Sequence, residues 1–301
     1  MPNTKDIRHR IKSIGNTKKI TKAMEMVASS KMRRAVNSVL ATRPYSSLAW
    51  QLILNVAQKI KIQRHPLLRN RKEIKKMAVV LITSNRGLCG SFNQQVIKTA
   101  VEYIKQQKSL KENLEVELIC LGKKGARAMS RSGQKVAAEF IKPDILKDSE
   151  EIRPIQKMIL TDFLQKKYDQ IALVYTDYVS ALKQVPRVKQ ILPIKTIRDK
   201  FLGEIGDVIQ ENKKESFEYL FEPKPQIILD VLLPRLLEVQ IYQAVLESNA
   251  AEHSARMLAM RNANEAAGDM ISELTLAYNQ LRQAAITREI AEIAGGKAAL
   301  E

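Results

Sequence analysis

The chain has 301 residues, 45% of them hydrophobic, with 50 Lys and Arg against 32 Asp and Glu, a net charge of +18. That length holds one or two domains with a sizeable core, and no stretch approaches the roughly 20 apolar residues needed to cross a bilayer, which excludes a disordered chain and a helical membrane span. An even spread of charge would point to nucleic acid, yet residues 1–76 carry 19 Lys and Arg against only Asp6, Glu25 and Glu73, a net +16 of the total, so the charge belongs to one element.

From Asn3 to Arg43 there is no proline and one glycine, Gly15. Ile7, Ile11 and Ile14 recur at spacings of four and three, the seam of a coiled coil. Continued strictly, that heptad puts Lys18 and Glu25 in the seam, so the register is expected to shift and resume through Ile20, Met24 and Val27. In the stretch "ITKAMEMVASSKMRRA" (20–35), Ile20, Ala23, Met24, Val27, Ala28 and Ala35 share one side with Lys31. Lys22, Ser29 and Arg33 lie roughly opposite, and Met26 falls among the charges. Such a helix suits nucleic acid, an anionic membrane surface, or protein on both sides. Pro44 is expected to kink or end the run, with 48–60 carrying it on.

After this N-terminal segment (1–76) the pattern changes. Short β-rich runs at 77–84, 114–122 and 170–177, with a weaker one at 188–194, alternate with amphipathic helices at 92–107 and 150–167. This predicts a small α/β domain over 77–195 with a largely parallel sheet. Residues 196–234 read as a return connection and 235–301 as a long C-terminal helix. Between Pro234 and Gly295 lie 60 residues with no proline and one glycine, Gly268. Unbroken, they make a rod of about 90 Å, which has to project from a body whose radius of gyration is about 19 Å. Its stripe reads Leu237, Ile241, Ala244, Ser248, Ala251, Ala255, Leu258 and Asn262, with small residues that allow a second helix to approach closely. The natural mate is the N-terminal helix, antiparallel, with part of the longer C-terminal helix extending past it.

The chemical motifs fail on detail. "TSNRGLCGSFNQ" stands after a first strand and before a helix, where a phosphate loop would stand. Gly87 and Gly90 supply two of the three glycines of a dinucleotide fingerprint, Lys123 and Lys124 follow the second strand where an acidic ribose ligand is needed, and no Gly-Lys-Ser or Gly-Lys-Thr occurs. The stretch is read as a structural turn. His9, His65 and His253 are scattered without metal spacing and are read as surface or seam residues. Cys89 and Cys120 are too few for a disulfide framework or zinc site and are read as packed thiols in a reducing compartment. No catalytic, metal or cofactor residues are expected. No Phe, Tyr or Trp precedes Tyr45, which argues against stacking on single-stranded nucleic acid. The apolar stripe also lacks the Trp, Phe and Leu that anchor an interfacial helix.

Five motifs then occur in order over essentially the whole chain: "ITKAMEMVASSKMRRA" (20–35), "RPY" (43–45), "TSNRGLCG" (83–90), "YLFEPKP" (219–225) and "YNQLRQAAITREIAEIAGG" (278–296). Together they closely resemble the γ subunit family of F-type ATP synthases. The resemblance implies an α/β protein with long helices, in which a small Rossmann-like domain is inserted between two terminal helices that form an antiparallel coiled coil. It implies a non-catalytic central-stalk rotor, turning inside a ring of three α and three β subunits and coupling proton flow through the membrane ring to ATP synthesis. The ε subunit and the membrane c-ring are further implied partners, with no cofactor, no nucleic acid and no direct membrane insertion.

By position, the resemblance implies ring contacts at Met24, Arg33, Arg34, Arg282, Gln283, Thr287 and Glu289, with acidic loops of β meeting the basic segment. It implies a contact near the membrane rotor ring at Glu222. Asn85 departs from the Asp found in many members, so an ion pair between that position and Arg86 is not expected. No inserted cysteine pair of the chloroplast kind is present, so thiol control is not expected. The start of the chain matches the mature family start, which implies a bacterial member, held peripherally at the cytoplasmic face of the membrane. Two competing readings are a basic coiled-coil nucleic-acid binder and a Rossmann-like enzyme that binds a free nucleotide.

Overall fold

The computed structural model describes residues 4–59, 65–69, 71, 73–146, 148–194 and 225–298. Two long helices, α1 (Thr4–Lys59) and α5 (Pro225–Ala298), flank a mixed α/β region. Between them run β1 (Lys76–Ile82), α2 (Phe92–Leu110), β2 (Glu115–Leu121), α3 (Lys123–Arg131), β3 (Val136–Phe140), a 3-10 turn (Ser149–Ile152), α4 (Arg153–Leu164), β4 (Gln170–Tyr178) and β5 (Gln184–Leu192). The chain divides into two compact units, Ser29–Arg256 and Met1–Ala28 with Met257–Glu301.

In the larger unit the five strands are ordered β3-β2-β1-β4-β5. The first four are parallel, and β5 returns antiparallel to β4. The expected strands are all present, and the sheet is largely parallel as predicted. Sequence reading missed β3 and α3. The run "VAAEF" alternates between half-buried and exposed positions at the sheet edge, so it lacks the apolar block that marks β1. β1, by contrast, reads "KMAVVLI" because helices cover both its faces, which makes a buried parallel strand nearly continuous in apolar residues.

Two cores follow from that alternation. Met77, Val79 and Leu81 pack with Val96, Ala100 and Ile104 of α2 and Met129 of α3. Ala78, Val80 and Ile82 face Ile155, Ile159 and Phe163 of α4, Leu233, Leu237 and Ile241 of α5, and Ala35 and Val39 of α1. From Gln243 to Ser254 α5 is buried on every side. Pro44 and Pro234 both lie inside their helices and end neither. At Pro234 the buried leucines Leu229, Leu233, Leu236 and Leu237 hold the helix on both sides, and Gln156 Nε2 donates to the Pro234 carbonyl at 3.0 Å.

The expected register shift in α1 does not occur. Buried and half-buried positions continue the first heptad through Ile7, Ile11, Ile14, Lys18, Thr21, Glu25, Ala28, Met32, Ala35, Val39 and Thr42, whereas Ile20 and Val27 are 60% and 56% exposed. In the smaller unit the far end of Lys18 passes over Gly268, where an added Cβ would stand 3.0 Å from its Nζ. Along α5 the expected stripe holds from Leu237 to Leu258, but Asn262 is exposed. From there the covered positions are Met260, Asn264, Ala267, Ile271, Leu274, Tyr278 and Leu281, again at heptad spacing.

Candidate functional site

The loop after β1 is consumed by its own protein. Ser84 N–H donates to Asn93 Oδ1 (3.0 Å), Lys124 N–H to the Ser84 carbonyl (3.0 Å), and Gly125 N–H to Thr83 Oγ1 (2.9 Å). These bonds pin the start of the loop to α2 and to the chain after β2. Gly122, with φ of 110°, is needed because a Cβ there would stand 2.2 Å from the Thr83 carbonyl oxygen. Asn85 makes no pair with Arg86: its side-chain amide donates to the Lys142 carbonyl (2.6 Å) and accepts from the Lys142 N–H (3.2 Å). Leu88, with φ of 61°, puts an exposed side chain at the loop tip.

The two thiols are packed. Cys89 is buried and accepts from Asn93 Nδ2 at 3.2 Å, and burial pushes its thiol up. Burial pushes Cys120 up to about 12. Neither supplies a thiolate nucleophile near neutral pH. His9 is exposed, while His65 Nδ1 accepts from the Leu67 N–H and its Nε2 meets Asp230 at 3.0 Å. His253 departs from expectation. It is fully buried, with Nε2 bonded to the Asp144 carbonyl at 3.0 Å. Among the described residues no group of three or more His, Cys, Asp or Glu is placed to hold a metal, and no helix is long and apolar enough to cross a membrane.

What remains is surface. Arg33 and Arg34 are exposed on α1 in the larger unit. In the smaller unit Met24 is half-buried, while Arg282, Gln283, Thr287 and Glu289 stand in a stretch, Arg282–Ile293, in which every residue is exposed. Glu222 lies outside the described residues. Sequence reasoning set Met26 apart among the charges but did not bring out the two apolar groups to which the exposed residues of the smaller unit belong. One is Ile286, Ile290 and Ile293, spaced four and three apart on α5 and 48%, 61% and 69% exposed. The other is Ile20, Met26 and Val27 on α1, each more than half exposed. The signal for the second group was the unbroken heptad from Ile7, which leaves Ile20 and Val27 off the seam. Exposed apolar stripes beside charged residues mark surfaces that a partner covers.

The comparisons agree with one another. A family model described as ATP synthase matches residues 3–300. An ATP synthase gamma chain from Herpetosiphon aurantiacus is 41% identical, over all of this chain and 99% of the relative. One from Nitrosospira multiformis is 38% identical over the full length of both. Among solved structures, a chain of the Euglena gracilis mitochondrial ATP synthase (OSCP/F1/c-ring) matches with a TM-score of 0.65 at 18% identity, covering 99% of this chain and 94% of that one. A chain of the Tetrahymena thermophila mitochondrial ATP synthase central stalk and c-ring matches with a TM-score of 0.58 at 22% identity, covering 81% and 99%.

Proposed function

This chain belongs to the ATP synthase gamma-chain family, and on that premise we propose that it is the central-stalk rotor of a bacterial F-type ATP synthase, carrying no catalytic site of its own. The observation that carries the reading is the end of α5. Twelve consecutive exposed residues, Arg282–Ile293, present three isoleucines beside Arg282, Gln283, Thr287 and Glu289. A helix end of this kind is stable when a partner encloses it, and a ring of α and β subunits encloses a shaft on all sides. Residues 1–76 and 235–301 act as an antiparallel coiled coil, 77–195 as the foot domain and 196–234 as the return connection, the last ten residues of which already belong to α5. Each unit carries its own contact between the two helices: Thr42 Oγ1 donates to Gln243 Oε1 at 2.7 Å in the larger, and Lys18 lies over Gly268 in the smaller.

The chain makes no bond to nucleotide in this scheme. An asymmetric shaft touches three chemically identical β subunits differently, and each contact biases that site between open and closed by its differential affinity for the two states. Rotation moves the bias from site to site. Met24, Arg33, Arg34, Arg282, Gln283, Thr287 and Glu289 are the ring contacts, Glu222 lies near the membrane c-ring, and the ε subunit is a further partner. The complex sits peripherally at the cytoplasmic face of the membrane. Purifying a tagged chain from its native host tests this. The reading expects α and β subunits and ATPase activity to come with it, and purification of the chain alone, or with nucleic acid in place of these subunits, overturns it.

A further inference from the structure

Two turns of α5 meet the segments that follow the C-terminal ends of the parallel strands β1, β3 and β4, the edge where open α/β sheets ordinarily receive a ligand. Here the helix itself takes that place. Glu252 and Lys142 are 3% and 1% exposed, and their charged groups pair directly. The second Glu252 oxygen accepts from Arg256 at 2.8 Å. Burial pushes the Glu252 carboxyl up, but Lys142 and Arg256 outweigh it and hold the group below the usual carboxylate range. The Lys142 ammonium lies 5.7 Å from the centroid of the Phe92 ring, and Asn85 fixes the Lys142 backbone through both of its polar groups.

Four further bonds tie the same stretch to three separate segments. Arg256 donates to the Gly87 carbonyl in the loop after β1 (3.3 Å), Ser254 to the Ala181 carbonyl between β4 and β5 (2.7 Å), and Asn249 Nδ2 and His253 Nε2 to the Pro143 and Asp144 carbonyls after β3 (3.1 and 3.0 Å). Asp144 in turn accepts from Lys31 of α1 at 2.8 Å. Elsewhere in this unit α5 is held mainly by aliphatic and alanine side chains, with single bonds from Gln156 to the Pro234 carbonyl and from Thr42 to Gln243, and such contacts lose less on a small rotation than a buried charge loses with its partner. Turning the helix leaves both charges of the ion pair buried without partners, the costliest state available to them.

We infer that the two turns Asn249–Arg256 are the torsional joint at which the rest of Ser29–Arg256 grips this part of α5, with Glu252 as the positioning residue that fixes the rotation of the helix about its own axis within the unit. The inference rests on the rotor reading for its purpose, but not for its first test. In the purified full chain, hydrogen exchange of amides 249–256 is expected to rise at least tenfold in Glu252→Gln and less in Glu252→Asp, while amides 237–245 keep their protection. In the reconstituted complex the Gln variant is expected to keep hydrolysis without a proton gradient within twofold of wild type, yet to lose at least fivefold of ATP synthesis driven by a gradient, with Asp in between. Unchanged exchange and synthesis overturn the joint. So does exchange that rises throughout the sheet, which makes Glu252 a general stabilising residue. If wild-type chain restores no coupled synthesis while the local exchange response is present, the rotor reading fails and the grip on α5 stands.

Discussion

Gly268 and Gly122 show how differently two glycines in one chain are used. At Gly268 the obstacle to a Cβ is the far end of the Lys18 side chain, 3.0 Å away, which can swing aside. The helix also gains by losing a glycine, so Gly268→Ala is expected to stabilise the chain by up to about 1 kcal/mol in urea denaturation. Gly122→Ala sets a methyl group against the Thr83 backbone at a φ that L residues avoid, and is expected to cost more than about 2 kcal/mol in the same measurement. A titrating residue gives a second prediction. Burial holds His253 below the ordinary histidine range, with Arg256 and Lys142 adding to the effect and the Asp144 carbonyl and Glu252 opposing it. The unfolded chain therefore binds this proton more readily than the folded chain. The stability it confers is complete above the unfolded value of about 6.5 and is lost as pH falls towards the lower folded value. The urea midpoint is expected to fall between pH 7 and pH 5, and His253→Gln, which can still donate to Asp144, should flatten that fall. Glu252 loses its contribution only at more acid pH, because its partners hold it down. An equal slope in wild type and variant would assign the dependence to other groups.

At the scale of the element, α1 separates seam from surface cleanly enough to test. Val39 is 1% exposed within the core and Ile20 is 60% exposed. Val39→Ala is expected to cost on the order of 2 kcal/mol, from lost transfer energy and the cavity left behind. Ile20→Gln and Val27→Gln are expected to change the stability of the free chain by less than about 0.5 kcal/mol. If these two residues belong to a ring contact, the Gln variants should nevertheless weaken assembly with α and β subunits in a pull-down. A cost at Ile20 equal to that at Val39 would return Ile20 to the seam. The error in the sequence reading came from treating Lys18 and Glu25 as too polar for a seam, when a lysine stem can lie along apolar surface with its charge in water.

For the whole molecule the uneven charge is the main property to explain. A net +16 over residues 1–76 gives a field that steers association with an acidic partner and is screened beyond about 8 Å at physiological ionic strength. Reversing Arg33 and Arg34 to Glu is expected to slow or weaken assembly with α and β, with a larger effect at low salt. Assembly indifferent to both reversal and salt would mean that the basic segment makes no electrostatic contact with the ring.

The long helices, the alternation that makes a largely parallel sheet, and the failure of every phosphate-loop pattern were legible in the residues themselves, because periodicity, proline placement and glycine spacing act over short stretches of chain. The family was legible too, since its motifs lie in sequence order. What only the tertiary structure decided is the company each residue keeps. β3 and α3 lacked a local signal because an edge strand and a short helix take their stability from neighbours. His253 and Glu252 lie off the stripe that runs from Leu237 to Leu258, and become buried because α5 runs between the sheet and α1, where every face of a helix is an inner face. Lys142 stands in a stretch with no regular pattern and meets Glu252 only through the fold, since a buried charge is possible only where its partner, a hundred and ten positions along the chain, has been brought beside it.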